Sequence, residues 1–316
     1  MTASPSTTEE GVAPSRRAWI GLAVLSAGLG MIVLDGTIVG VALPDIIRDL
    51  KMDLTDAQWV NSLYAVLLAA LLLSTGRLSD RWGRKRLFLI GIIIFMGGSL
   101  LAAMSDASGP LIAARAVQAV GAALIMPSTL STVNATFRGK YRAAAFGVWG
   151  AVISGAAAVG PLAGGALTQW GSWQWIFLVN IPLGAIVFIA ALLTVPETKG
   201  GKARPGADVD GALLSALGFG ALVFAVIEGP DLGWWTPKSE LHIFGMVWPT
   251  TAPISIVPIA LLVAVVALTL FVIWERHRAK VRRSALLDLD LFLLPTFSWG
   301  NVTAAMVAVG EFTILF

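Results

Sequence analysis

The chain has 316 residues, of which 57% are apolar and only 13% charged, and its mean hydropathy is +0.81. That composition excludes an ordinary water-soluble domain and reads as an all-α membrane protein with many spans. The absence of cysteine excludes a disulfide framework, thiolate metal sites and cysteine nucleophiles, while the net charge of +3 says less than the placement of the charges.

Residues 1–17 begin polar and rich in Ser and Thr, lack the pattern of a cleaved leader, and are expected to form a disordered cytoplasmic tail. Apolar runs follow at Trp19–Leu43, Ala57–Thr75, Leu87–Met104, Leu111–Val133, Ala143–Leu167 and Trp175–Val195, near the roughly 20 residues that a spanning helix needs. After a basic linker containing Gly and Pro come Ala212–Ile227, Ile254–Trp274 and Phe297–Phe316. Of the 22 Lys and Arg, 18 lie in alternate connections, at 16–17, 76–86, 138–142, 199–204 and 276–283. The other connections hold only Arg48, Lys51 and Lys238, and Arg115 lies inside a span. Positive charge favours the inside, so the N-terminus is expected in the cytoplasm.

Asp35 in the first span is expensive. Counting back about nine residues from Pro44 places it roughly 14 Å below the outer surface, where a bare carboxylate either keeps a proton or finds a cation. It is a structural hydrogen-bonded residue, a group near the headgroups of a short span, or a protonatable group facing a water-filled cavity, the usual role of intramembrane acids. The second span begins at Thr55-Asp56, which reads as a helix cap. Trp59 on its outer turns suits either an interfacial belt or a cavity wall, and the deeper Tyr64 suits a cavity. The charged stretch from Gly76 to Arg86 reads as a tight cytoplasmic turn in which Gly76 and Gly83 permit a reversal and Asp80 caps the next helix or pairs with Arg84.

Arg115 lies about five residues, roughly 8 Å, inside the fourth span, in the same outer half as Asp35. Snorkelling to the headgroups is one reading. Gln118 one turn inward, among small residues, instead marks a buried polar face within reach of Asp35. In the fifth span Gly155, Gly160, Pro161, Gly164 and Gly165 offer a small-residue face for close helix approach. Asn180, in the sixth, is either a satisfied packing residue or a cavity contact. Glu228 at the end of the seventh reads as interfacial, with contact to substrate as the alternative, and the isolated His242 and His277 make a metal site unexpected. Glu311 in the last run is a second intramembrane acid.

Several stretches resemble the major facilitator superfamily. Gly76-Arg77-Leu78-Ser79-Asp80-Arg81-Trp82-Gly83-Arg84-Lys85 is similar to its loop between the second and third helices, and Arg115-Ala116-Val117-Gln118-Ala119-Val120-Gly121 to its fourth-helix motif, with Ala119 in place of the first Gly. Leu34 to Pro44 resembles the first-helix motif of drug–proton antiporters, with Gly40 where Asn is usual. Gly160-Pro161-Leu162-Ala163-Gly164-Gly165 resembles the fifth-helix motif of exporters, and Trp173 to Gly184 the start of the sixth helix, with Gln174 in place of Arg. Two spans after residue 195, separated by a segment with Gly233-Trp234-Trp235, resemble the fourteen-span EmrB/QacA type.

The resemblance implies a major facilitator fold. It would comprise a six-span N-terminal bundle at 18–195, a cytoplasmic linker at 196–209, two extra helices at 210–283 and an incomplete C-terminal bundle at 284–316. It implies that Gly76, Asp80, Arg81, Gly83 and Arg84 form a cytoplasmic gate loop, and that Asp35, Arg115 and Glu311 handle protons. Trp59, Tyr64, Gln118 and Asn180 would line a substrate cavity. The expected activity is proton-driven export of lipophilic, cationic compounds by a monomer in the plasma membrane, without cofactor, metal or nucleic acid. A narrow-substrate exporter of a metabolite or antibiotic stays open, as does a non-transporting sensor. No nucleophile–base constellation or phosphate-cradling glycine loop supports an enzyme. The run ending at Phe316 reads as a C-terminal truncation, expected to be inactive by itself.

Overall fold

The computed structural model describes the backbone of residues 13–200, 208–243 and 246–315, and their side chains except at 54–55, 242–243, 246 and 308–315. The first five spans are α1 (Arg16–Leu50), α2 (Leu54–Trp82), α3 (Arg84–Ala103), α4 (Ser108–Thr136) and α5 (Gly139–Trp170). The sixth is α6 (Trp175–Leu178) continued by α7 (Asn180–Thr194), and α8 (Val209–Leu232) and α9 (Ile256–Lys280) follow. These eight segments are long and apolar enough to cross a membrane. A 3₁₀ turn at Leu289–Leu293 leads into α10 (Pro295–Leu315). Between α8 and α9 a small antiparallel hairpin, β1 (Leu241–Ile243) with β2 (Met246–Trp248), pairs Leu241 with Trp248.

Local chemistry sets the helix ends. The Ser15 hydroxyl accepts from Ala18 N, Asp208 caps α8 at Gly211 N and Ser255 caps α9 at Val257 N. The cap of α2 is Asp53, whose carboxylate accepts from Asp56 N at 2.7 Å, rather than the predicted Thr55-Asp56. Several helices outrun their apolar stretches. α1 continues through Pro44 to Leu50, beyond an exposed Asp45–Arg48 pair, and α2 runs seven residues past Thr75 to Trp82.

In lipid no hydrophobic force drives helices together, so close packing and buried polar contacts must hold them. The most extensive pairings are α3 with α4, α1 with α5, α2 with α4 and α8 with α9, and α8 also packs along α2. The α3–α4 crossing is the tightest. A Cβ built on Gly121 would stand 2.6 Å from the backbone N of Phe95 and 2.8 Å from the Gly91 carbonyl oxygen. On the α5 face, Gly160 and Gly164 do lie against α1, where added Cβ atoms would meet Thr37 and Ile38. Gly155 and Gly165 meet nothing within 4 Å, and Pro161 is exposed, so the expected small-residue face reduces to two positions. The α5 turn places 160 and 164 on one side and the others around the helix.

One end of the bundle gathers the basic connections. Arg17 Nη2 donates to the Leu193 carbonyl, Trp19 meets the Phe137 ring edge-on at 5.1 Å, and the turn before α3 contacts the segment after α7. Two apolar clusters divide the six-span bundle along its length, one containing Leu22, Leu25, Leu29 and Phe88, the other Ile38, Ala42, Ile46 and Phe177. Between them lies a polar layer. Outward-facing side chains are apolar, as at Ile186, Ile189 and Leu193 of α7. The all-α membrane architecture expected from composition is the observed one, with the hairpin as an addition.

Gly121→Ala should destabilise the detergent-solubilised protein by about 1–3 kcal/mol through overpacking at the α3–α4 crossing. Gly97→Ala, where a Cβ meets nothing within 4 Å, should leave the thermal midpoint nearly unchanged. Thermal unfolding of the two variants side by side checks the contrast.

Candidate functional site

The inner stripe of α1 runs Leu25, Leu29, Ile32, Asp35, Ile38, Val39, Ala42 and Ile46, all buried. Steps of three and four on a helix share a face, so the period that buries the leucines also carries Asp35 into the bundle. On α4 the same spacing buries Leu111, Arg115, Gln118, Ala119 and Ala122. Asp35 and Arg115 are both 0% exposed.

The two meet. Arg115 Nη1 lies 2.5 Å from Asp35 Oδ2 and donates also to Gln118 Oε1 at 2.9 Å, while its Nε donates to the Val60 carbonyl of α2 at 3.3 Å. Asp35 Oδ1 accepts from Gln118 Nε2 at 3.1 Å and from Asn180 Nδ2 at 2.7 Å. Both amides also donate to Ser99 Oγ on α3, at 2.8 and 3.2 Å. The guanidinium sits over the Tyr64 ring, 4.2 Å from its centroid, with Phe177 further off at 6.0 Å. The layer thus joins α1, α2, α3, α4 and the sixth span.

Every neighbour presents a donor to Asp35, so in this conformation the carboxylate acts only as an acceptor. The layer is not fully satisfied: Tyr64 Oη and Asn180 Oδ1 are buried without a hydrogen-bond partner among the described residues. Removing either charge of a buried pair leaves the other uncompensated, so the pair holds only while both partners are present.

Tyr64, Gln118 and Asn180 belong to this layer, as does Ser99, which sequence reading passed over although it is a hydroxyl in a strongly apolar span. Trp59 packs elsewhere, its ring stacked on Phe224 of α8 at 5.9 Å. Gly160 and Gly164 sit beside the layer, at Thr37 and Ile38 of α1. The backbone of Glu311 is helical, but its side chain lies outside the described residues, as does that of His242. Glu228, expected at the interface, is buried at 2% exposure.

The charged stretch at the basic end is mostly helix. Gly76 lies within α2, with Pro127 of α4 nearby, and takes no part in the reversal, which Gly83 makes alone at φ +114°. Asp80, in the last turn of α2, pairs across that turn with the first residue of α3: its Oδ1 accepts from Arg84 Nε and Nη2 at 2.9 and 2.7 Å. Arg84 Nη1 reaches the Ser131 carbonyl of α4 at 3.0 Å. The segment after α7 closes over the turn. Arg84 N donates to Thr198 O, Gly200 N to Asp80 O, and Lys85 N to the Glu197 carboxylate, which also faces Arg86 at 3.8 Å. A Cβ on Gly83 would stand 2.6 Å from Glu197 Oε1, the movable end of a partly exposed side chain, so it is the backbone conformation that calls for glycine there. Arg77 Nε donates to the Leu286 carbonyl, and Arg81 is exposed. Glu197 and Thr198 were not anticipated, because nothing in their spacing links them to a turn more than a hundred residues away.

The Major Facilitator Superfamily profile matches residues 25–316. The chain is 41% identical, over 68% of its length, to the methylenomycin A resistance protein of Bacillus subtilis, covering 46% of that protein. It is 42% identical over 71% to the puromycin resistance protein pur8 of Streptomyces alboniger, covering 44%. It is 36% identical over 93% to the multidrug resistance protein Stp of Mycobacterium tuberculosis, covering 51%. The chain spans about half the length of the curated relatives it matches. A profile match over almost the whole chain, on eight spanning segments and a buried Asp–Arg layer, makes this protein a member of the Major Facilitator Superfamily.

Proposed function

We propose that the chain forms the N-terminal bundle, the two extra helices and the first part of the second bundle of a fourteen-span, proton-coupled drug exporter of the EmrB/QacA type. The relatives named for resistance support export, and the buried Asp35–Arg115 pair is the observation that carries proton coupling. The reading places the N-terminus and the Gly83 turn in the cytoplasm, on the side where the basic connections meet, and the chain in the plasma membrane.

A proton arriving at Asp35 removes the charge that Arg115 is paired with. The guanidinium cannot follow by losing its own proton, so it must find water or another anion. Opening the bundle to one side supplies water, and the conformational equilibrium shifts by the free energy that separates the two charge states. A lipophilic cation displaces the same interaction by offering Asp35 a different partner. Proton and substrate then compete for one carboxylate, which is antiport. At the basic end the Asp80–Arg84 pair and the Glu197 clamp act as a gate that holds α2, α3 and α4 together in one of the two states. The names of two relatives, each specifying one antibiotic, favour a second reading in which the same machinery exports a narrow range of compounds.

Two predictions test this reading. Asp35→Asn, which strands a guanidinium that stays charged, should cost on the order of 3–5 kcal/mol of stability. Arg115→Gln should cost less, because the remaining carboxyl can take up a proton. The double variant should be more stable than Asp35→Asn alone, and thermal unfolding in detergent orders the three. In the full-length transporter, where the wild type is expected to drive efflux of a cationic dye from proteoliposomes under an imposed pH gradient, the double variant, stable but unable to bind a proton there, should show none. Dye efflux in that variant equal to the wild type would remove proton coupling from the pair.

A further inference from the structure

α2 has two working faces. Val60 and Tyr64 look toward Arg115 in the central layer. Trp59, Ser62, Val66 and Ala70, at helical spacing on the other side, face α8: Trp59 stacks on Phe224, Gly220 lies against Val66 and Ala70, and Ser62 faces the carboxyl of Glu228. Glu228 is 2% exposed and its Oε1 has no hydrogen-bond partner among the described residues. No ion pair to it occurs among the described residues either.

Apart from the Ser62 hydroxyl, the described side chains packed around Glu228 are apolar. On α9 the first turns contribute Val257, Ala260 and Leu261 to the same apolar cluster as Ala225 and Leu232. No titratable side chain occurs in α9 from Ile256 to Trp274. The charged groups nearest in the chain stand toward the end of α8 and beyond: Asp231 three residues on, Lys238, whose Nζ donates to the Pro230 carbonyl, and Glu240. On α2 the nearest is Asp56 in the first turn. Glu228 lies four residues from the end of α8, about 6 Å, so the route from solvent is short. A carboxylate sealed without a cation costs several kcal/mol, whereas the same group carrying a proton is a hydrogen-bond donor with one charge fewer to bury.

We propose that Glu228 is a proton-binding site in its own right, separate from the Asp35–Arg115 layer, and that a proton on it keeps the extra helix pair seated on α2. When the proton leaves, the bare carboxylate drives α8 away from Ser62 toward water. The extra helices are then a second proton-responsive element, acting on the face of α2 opposite the one that holds Arg115.

The absence of cysteine makes a direct test available. A Cβ on Gly220 would lie 3.5 Å from the Ala70 Cβ, close to the separation found in disulfides, so Ala70→Cys with Gly220→Cys reports seating of α8. In proteoliposomes, cross-linking of this pair should fall with rising pH relative to the same pair carrying Glu228→Gln, which cannot lose a proton and shares the thiol chemistry. Infrared spectra of the protein should show a protonated-carboxyl stretching band that is lost in Glu228→Gln and moves in frequency in Ser62→Ala. The Ser62 variant provides the spectroscopic test should the Gln variant not fold. Identical pH profiles for the two cross-linking pairs, or a carboxyl band unaffected by both substitutions, would overturn the proposal.

Discussion

A carboxylate and a guanidinium buried together in a bundle of apolar helices make the interaction on which the rest of this structure depends. Neither charge is stable there alone, and their mutual attraction offsets desolvation only while the geometry is held. Holding it takes groups from most of the first bundle: amides from α4 and the sixth span, a hydroxyl from α3, a carbonyl and a ring from α2. The polar layer therefore specifies how the helices are arranged about each other, which apolar contacts in lipid do poorly because any greasy surface serves as well as another.

Close packing serves the layer. The α3–α4 crossing is tight enough that Gly98 stands against Gln118, where a Cβ would meet the Gln118 backbone N at 2.7 Å. That approach brings Ser99 and Gln118 within hydrogen-bond distance. On the other side of α1, Gly160 and Gly164 let α5 come down on Thr37 and Ile38, immediately beside Asp35. The glycines matter for the distance they permit between helices, and through it for the position of the polar groups.

At the basic end the turn before α3 is held from two directions. Asp80 and Arg84 tie it to α4 through Ser131, and Glu197 and Thr198 tie it to the end of the sixth span. Arg77 extends the contact to Leu286, where the chain leaves the extra helices, while Asp208, Trp274 and Arg278 join the starts and ends of those helices. α2 is therefore in contact with the central layer, the Gly83 turn and the extra pair at once.

The apolar runs, the alternation of basic connections and the pairing of an acid in α1 with an arginine and glutamine in α4 were legible from residues alone. Length, hydropathy and helical period are local properties, and they determined the spans, the buried face of Asp35 and that of Arg115. The glycine pattern of α5 was legible only in part, because spacing says which residues are small and not which side a neighbour occupies. That Gly160 and Gly164 pack while Gly155 and Gly165 do not, that Gly76 is helical while Gly83 turns, that Trp59 faces α8 and that Glu228 of α8 is buried against α2 were all decided by the tertiary arrangement. So was the clamp of Glu197 on a turn far away in the chain. Helix faces follow from sequence period, but which helix stands against a face depends on contacts between distant segments, and only the folded bundle brings those together.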